Sequence, residues 1–458
     1  MKIEIPPHVA SIIGILEEAG YEAYAVGGCV RDTLLGRVPE DWDITTSARP
    51  EQVKRLFRRT VDTGIQHGTV TVLMGKCGYE VTTYRLDGEY EDGRHPKDVT
   101  FTASLKEDLR RRDFTINAMA YSDKSGIIDE FHGMDDLKSG IIRCVGSAGE
   151  RFTEDALRIL RAIRFSAQLG FSIEEETKRA IQRMAPRLEL ISRERIQVEL
   201  DKLLCSPHPE YFRQAYELGI TAMVIPEFDR AMETPQRNLY HQLSVGEHTL
   251  RTLENIRADH ILRWTMLLHD LGKPQVKSED EQGNIHFYHH AEAGAEIARK
   301  IIRGLKFDNA TLEAVTTLVT YHDFPFPISK EGVRKALNRV GRNLFPLLLE
   351  VCTADSMGKN EYAREMYLPK LLQVQEYYKE ILEAGDCVTL SELAIKGGDL
   401  IGAGMKPGKK LGECLQRCLE SVLECPERNT KEYLLDFAAQ IWDEKGRRDQ
   451  NFTNKEIN

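Results

Sequence analysis

Asp41 and Asp43 stand two residues apart in EDWDI, a spacing that turns both carboxylates to one side of an extended strand. Carboxylates paired in this way can hold two Mg²⁺ ions, one activating an attacking hydroxyl and the other neutralising a leaving pyrophosphate. Upstream, AVGGCVRD places Gly27 and Gly28 at the end of a short apolar strand. Lacking side chains, they let backbone N–H groups approach a ligand, and a helix starting near Val30 would aim its positive end at the same point. Arg31 adds a planar fork of donors matched to phosphate oxygens. A Gly-Gly pair alone is usually a turn, and a D-x-D alone is usually solvated surface. Their order, after a strand, is what points to phosphate and metal chemistry. Glu80, in GYEVTTYR, is a candidate third acid.

Two arginine-rich segments follow. In RRDFTINAMA, Arg111 and Arg112 precede an apolar stretch that reads as a helix, with Asp113 as its cap. In EDALRILRAIRF, residues 154 to 165, Asp155, Arg158, Arg161 and Arg164 form one row of a helix, and Leu157, Leu160 and Ile163 a neighbouring core face. As helix-surface pairing such a row contributes only ~0.3–0.5 kcal/mol per pair. As recognition chemistry it offers more. Cytosine and adenine both present an amino donor beside a ring-nitrogen acceptor, and a carboxylate beside a guanidinium is the complement. Uracil and guanine would leave buried groups unsatisfied, at ~1–3 kcal/mol each. Asp155 and Arg158 could therefore accept CTP and ATP and reject the other two nucleotides. Arg161 and Arg164 would then face the triphosphate or the side of the base.

Farther on come His248, His269-Asp270 in LLHDLGKP, His289-His290, His322 and Asp355. The His-Asp pair closes the apolar run WTMLL and precedes a Gly-Lys-Pro helix stop. Imidazoles mixed with carboxylates suit a divalent transition metal or Mg²⁺. Near the end, GGDLIGAGMKPGKKLGECL offers Lys406, Lys409 and Lys410 at the mouth of a helix, where they could meet a phosphate backbone or simply cap a basic loop.

The elements that must position these groups change along the chain. Up to about residue 140, helix Ser11–Ala19 and strands Tyr24–Val26, Trp42–Thr45, Thr69–Met74 and Tyr79–Tyr84 read as α/β. Asp87 to Lys97, DGEYEDGRHPK, has the composition of a mobile loop. Beyond Phe152 strand signals almost vanish, and helical spacing recurs at Phe212–Leu218, Ile261–Leu268 and Pro369–Leu382. The polar stretch from Lys445 reads as frayed. At 458 residues, 41% hydrophobic and 29% charged, the chain is long enough for about three domains with ample core. It begins without a signal-like apolar run, and no stretch approaches the ~20 apolar residues of a membrane span. Its nine scattered cysteines, Cys414 and Cys418 included, read as reduced thiols in a cytoplasmic protein. A net charge of −10 argues mildly against nucleic acid, but the local field decides, so composition leaves the partner open.

GG-x-V-R-D followed by DWD resembles the signature of the nucleotidyltransferase superfamily, specifically the class II tRNA nucleotidyltransferases and bacterial poly(A) polymerases. The resemblance implies that Asp41 and Asp43 are catalytic and bind Mg²⁺, with Gly28 and Arg31 at the nucleotide. RRDFTINAMA matches the family's second motif, which implies a nucleotide contact for Arg112 with Asp113 as support. IIDEFHGMDDL, with Asp129, matches a hinge-like third motif, and EDALR matches the base-reading E-D-x-x-R. Retention of the loop carrying DGRHP speaks against an enzyme that adds only CC. The histidine series resembles the HD superfamily of metal-dependent phosphohydrolases, which maps its ligands to His248, His269, Asp270 and Asp355, with His290 and His322 as extra candidates. The tail resembles the segment that reaches the far corner of tRNA. The implied fold is α+β and elongated: a polymerase-beta-like α/β head over 1–140, then a helical neck over 141–235 carrying the base template. An HD-type helical body over 236–360 and a helical tRNA-binding tail over 361–458 complete it. The implied activity is addition of CCA to tRNA from CTP and ATP. An A-adding enzyme or poly(A) polymerase is the alternative within the class, and an HD phosphohydrolase the alternative outside it.

Overall fold

The structure is a computed structural model that describes residues 2–88, 99–236, 243–323 and 328–441. Most of the expected loop, from residue 89 to 97, and the polar end from Lys445 lie outside the described residues. The chain forms two compact units, Met1–Glu233 with Ala258–His260 and Ile301–Asp308, and Thr234–Arg257 with Ile261–Lys300 and Asn309–Asn458.

The first unit opens with α1 (Pro7–Glu18), β1 (Ala23–Val26), α2 (Gly28–Leu34), β2 (Ile44–Thr46), α3 (Pro50–Leu56), β3 (Thr60–Gly64), β4 (Thr69–Met74) and β5 (Cys77–Thr83). A small pair, β6 (Arg85–Asp87) and β7 (Val99–Phe101), leads to α4 (Leu105–Arg110), β8 (Met119–Ser122), β9 (Gly126–Asp129) and α5 (Gly133–Ser139). Seven strands make one sheet in the order β3-β4-β5-β2-β1-β8-β9. Only β2 and β5 run parallel, pairing Ile44 with Val81. β1 is buried at every position because it is flanked on both sides by strands, and its Tyr24 and Val26 share a core with Tyr84, Leu109 and Ala120. The helical remainder of this unit includes α6 (Ala148–Glu154), α7 (Leu157–Leu169), α8 (Glu175–Met184) and α9 (Arg193–Leu204), with α7 packed on α9.

Three local expectations change. The strand expected at Trp42–Thr45 begins at Ile44, although the Val26 N–H donates to the Asp43 carbonyl at 3.0 Å and carries the pairing one residue back. RRDFTINAMA does not lead into a helix. Thr115–Asn117 is a single 3₁₀ turn, and the apolar run continues as β8, buried beside β1. A run this short has no periodicity with which to tell strand from buried helix. The helix expected over 154–165 is broken at Asp155 and Ala156: the Asp155 carboxylate accepts the Leu157 N–H at 3.0 Å, a capping bond that starts α7 there.

From Val245 onward all the long elements among the described residues are helices, chiefly Val245–Glu254, His260–Leu268, His290–Gly304, Asn309–Tyr321, Lys330–Val340, Phe345–Gly358, Glu361–Ala384 and Lys409–Glu424. Leu337, Phe345, Val374, Cys418 and Leu434 belong to one core there, so Cys414 and Cys418 are packing residues and all nine cysteines are free. No helix among the described residues is long and apolar enough to cross a membrane.

Candidate active site

The sheet presents three solvent-open carboxylates together. Asp43 directly precedes β2 and Glu80 directly precedes Val81, so the parallel register of Ile44 with Val81 brings their backbones side by side, and Asp41 lies next along the same edge. Partial desolvation, then the charges of Asp43 and Asp41, push the Glu80 carboxyl above its usual range. Asp43 is raised as well, first by desolvation and then by Asp41, against the opposing pull of Arg112. The three carboxylates repel one another, and a bound cation would relieve that repulsion. The carboxylate set therefore fits divalent metal ions.

Arg112 faces this cluster from across the Gly-Gly turn. Gly27 has φ +82° and ψ −128°, which only glycine adopts without strain, and a Cβ there would lie 2.8 Å from Arg112 Nη1. Asp108 holds Arg112 from behind at 3.6 Å, binds Arg111 at 2.8 Å and accepts from the Thr45 hydroxyl at 3.0 Å. That one buried carboxylate ties the RRD segment to β2. Asp113 is also buried. It accepts from Asn117 and from the Phe114 N–H through one oxygen and from Arg161 through the other. Its carboxyl is held far below the usual range: burial opposes ionisation, but Arg161, Asn117 and Arg158 together outweigh it.

Arg31, Arg161 and Arg164 surround the Phe165 ring, with guanidinium carbons 4.9, 5.3 and 4.0 Å from its centroid. Each is already engaged. Arg31 donates to Asn117 at 2.7 Å and to Asp32 through two bonds. Arg161 holds Asp113, and Arg164 lies 2.8 Å from Glu199 of α9. Burial, opposed by Glu199 and reinforced by Arg161, lowers Arg164 to about 10. These arginines thus form a cluster whose charges are paired within the protein rather than an open fork.

At the break between α6 and α7, the two candidate base readers are held separately. Arg195 of α9 binds Asp155 at 2.7 Å. Arg158 donates to Glu154 at 2.5 Å and to the Arg111 and Arg151 carbonyls. Their side chains are 17% exposed for Asp155 and 11% for Arg158. Sequence reasoning missed Glu154, Asn117, Arg195 and Glu199 as partners. The last two sit one helical turn apart in RERIQVEL, a spacing that could have marked a paired row. Asp129 accepts from the Gly133 and Met134 N–H groups and fixes the start of α5.

The second unit gathers His248, His269, Asp270, His290, His322 and Asp355, all buried, from helices far apart in sequence. His248 Nε2 lies 2.9 Å from Asp355 and 3.7 Å from Asp270, and His269 Nε2 is 3.2 Å from Asp270. Lys273 and Lys359 neutralise the two carboxylates at 2.7 and 2.6 Å. Burial pushes the His248 imidazole down, towards the neutral form that ligates metals. A cavity of about 500 Å³ opens onto the cluster. Lys406, Lys409 and Lys410 are exposed around the start of the helix Lys409–Glu424.

Comparison with known proteins places the whole chain. Residues 23–143 match the poly A polymerase head domain, 170–232 the probable RNA and SrmB-binding site of polymerase A, and 275–438 the putative tRNA nucleotidyltransferase domain 2. A protein of Lactiplantibacillus plantarum named CCA-adding enzyme is 38% identical over 95% of this chain and 96% of its own length. One of Enterococcus faecalis with the same name is 37% identical over 94% of each. The Bacillus stearothermophilus CCA-adding enzyme, solved in complex with CTP, superposes with a TM-score of 0.72 at 32% identity, covering 98% of this chain and 100% of that one. With such relatives along nearly its whole length, the chain belongs to the CCA-adding enzyme family of bacterial-type tRNA nucleotidyltransferases.

Proposed function

We infer that this chain completes the 3′ end of tRNA, adding C, C and then A from CTP and ATP without a nucleic-acid template. In each step the tRNA 3′ oxygen bonds to the α-phosphorus, the bond from that phosphorus towards the β-phosphate breaks, and pyrophosphate leaves. The observation that carries the reading is the trio Asp41, Asp43 and Glu80 facing Arg112 over the Gly27 turn. Asp41 and Asp43, helped by Glu80, would hold the divalent cations, Mg²⁺ in our reading, which supply activation of the hydroxyl and neutralisation of pyrophosphate.

The protein's own groups do the rest. Gly28 lets the backbone come close to the nucleotide, and Arg112 meets its sugar and phosphates, braced by Asp108 and Asp113. Arg31, Arg161 and Arg164, paired with Asp32, Asp113 and Glu199, would meet the triphosphate or the side of the base by exchanging those partners for it. Asp155 accepts from the amino group of cytosine or adenine, and Arg158 donates to the adjacent ring nitrogen. Head 1–140 would catalyse, neck 141–235 read the base, and tail 361–458 meet the tRNA backbone through Lys406, Lys409 and Lys410, with body 236–360 between. The nine free cysteines suit the reducing cytoplasm, where we place the enzyme. Incubating a tRNA that lacks CCA with all four nucleotides and sequencing its 3′ ends should return CCA. Asp41→Ala with Asp43→Ala should lower the rate by ~10³-fold or more. Ends extended with U or G, or unchanged rates in the double variant, would refute the reading.

A second reading concerns the buried His–Asp cluster: His248, His269, Asp270 and Asp355 would hold a divalent ion and support phosphoester hydrolysis. It is favoured by the convergence of His248, His269 and Asp270 ligand atoms within 4.8 Å of one another. Turnover of 2′,3′-cyclic nucleotides with added Ni²⁺ or Mn²⁺ tests it; no turnover and no bound metal would mark a relic scaffold.

A further inference from the structure

The first unit carries a run of cations that is mostly unpaired. VKRLFRRT, residues 53–60, spans the last turn of α3 and the approach to β3, and its Lys54, Arg55, Arg58 and Arg59 are all exposed. Lys54 is held by Asp62 at 2.8 Å. Arg55, Arg58 and Arg59 form no ion pair among the described residues, and neither does Lys76, exposed in the turn between β4 and β5. Glu51, one helical turn before Arg55, is exposed and unpaired as well. Lys54 and Arg55 complement the negative end of α3, but Arg58 and Arg59 come after its Phe57 cap. Three guanidiniums within five positions repel one another, and an anion lying against them would relieve that repulsion.

Strand register fixes where these groups stand. Glu80 pairs with Thr71 and Thr71 with Val61, so β3 continues the row that carries the third acid of the trio. The Arg59 carbonyl accepts the Leu73 N–H at 3.0 Å, which extends the β3–β4 ladder to two residues before Val61. β3 is antiparallel to β4 and β4 to β5, so β3 and β5 run the same way. Arg58 and Arg59 therefore precede Val61 at the same end of the sheet where Lys76 precedes Glu80. Two strand spacings of ~4.8 Å and two residues of ~3.3 Å put the Arg59 backbone roughly 12 Å from that of Glu80. That is the span of only a few phosphates along a helical strand. An RNA whose 3′ oxygen reaches the carboxylates brings its phosphates past this end of the sheet. In a chain of net charge −10, unpaired arginines there are the groups able to neutralise them.

We propose that Arg55, Arg58 and Arg59, with Lys76, bind the phosphate backbone of the tRNA acceptor strand just behind its 3′ end. Contacts of this kind position a nucleic acid without reading its bases, so the patch serves every tRNA alike. The proposal rests on the reading above that the trio is where the 3′ oxygen reacts, and goes beyond it in giving the acceptor strand a seat on the first unit.

The test compares the full chain with a variant carrying Arg55→Gln, Arg58→Gln and Arg59→Gln, and reads binding apart from catalysis. Filter binding uses a tRNA lacking CCA and a hairpin of its acceptor stem alone. For both RNAs Kd should rise by about 10-fold or more at ~0.1 M salt, and the slope of log Kd against log salt should become shallower by about 2–3. KM for the tRNA should rise in step, while KM for CTP stays. A second variant, with Arg55→Lys, Arg58→Lys and Arg59→Lys, keeps the charges and should bind like the parent. Should the glutamine variant fail to fold by circular dichroism, Arg58→Gln and Lys76→Gln, made singly, should each lower the slope by about 1. Unchanged Kd and slope, an equal loss in the lysine variant, or a loss seen with the whole tRNA and absent with the hairpin would overturn the seat. A parent that binds RNA through these arginines without extending its 3′ end would instead overturn the role of the trio.

Discussion

The candidate residues for the chemistry were legible because their logic is local. Asp41 and Asp43, Gly27 and Gly28, and the E-D-x-x-R run each state their chemistry within a few positions. The residues that hold them were not, because the chain brings those in from afar: Arg195 reaches Asp155 across 40 positions and Arg161 reaches Asp113 across 48. Base discrimination belongs to this scale. Asp155→Ala should relax selectivity for C and A over U and G by ~1–3 kcal/mol, about 5- to 150-fold, with Mg²⁺ dependence unchanged. Incorporation of each nucleotide measured separately checks this, and intact selectivity would remove Asp155 from the template. Asp113 makes a stability claim instead. Its folded-state acidity is strengthened, so it contributes stability above the ordinary carboxylate value of about 4 and loses it as pH falls through the folded value. Asp113→Asn should cost about 3–5 kcal/mol at neutral pH, because Arg161 is left without its buried partner. In denaturant titrations the gap from the parent should narrow as pH drops below 4; a gap independent of pH would contradict the assignment.

At the scale of elements, the strands with clear alternation, β4 and β5, were readable, and so were the longer helices. Two elements were misread for physical reasons. The Ala-Met-Ala-Tyr run is strand β8 only because β1 offers it a partner, which no local pattern reveals. Residues 154–165 keep helical periodicity throughout, yet Asp155 prefers to cap, and beside the resulting break the two proposed base readers bond to Arg195 and Glu154 rather than to each other. The Gly27 turn is the most demanding junction. Gly27→Ala should cost about 1–3 kcal/mol for its backbone conformation and push Arg112 from its place. The expected kinetic result is a raised KM for CTP and ATP with a lowered kcat. Unaltered kinetics would mean that Arg112 does not depend on the turn.

On the scale of the whole molecule, net charge was the poorest guide. A total of −10 argued mildly against nucleic acid and left the partner open, while a relative that matches 95% of the chain is named CCA-adding enzyme. The local distribution of charge matters more than the sum, and here Arg31, Arg161 and Arg164 gather around Phe165, each beside a carboxylate. The change from an α/β start to a helical remainder was readable from periodicity, whereas the convergence of His248, His269, Asp270, His290, His322 and Asp355 needed the fold. The central claim is that one site adds two C residues and then one A. Purified enzyme with a tRNA lacking CCA should, given CTP alone, extend it by two nucleotides and stop. Subsequent ATP should add one more. No extension with CTP, together with A addition to a tRNA already ending in CC or a growing A tract, would contradict the account.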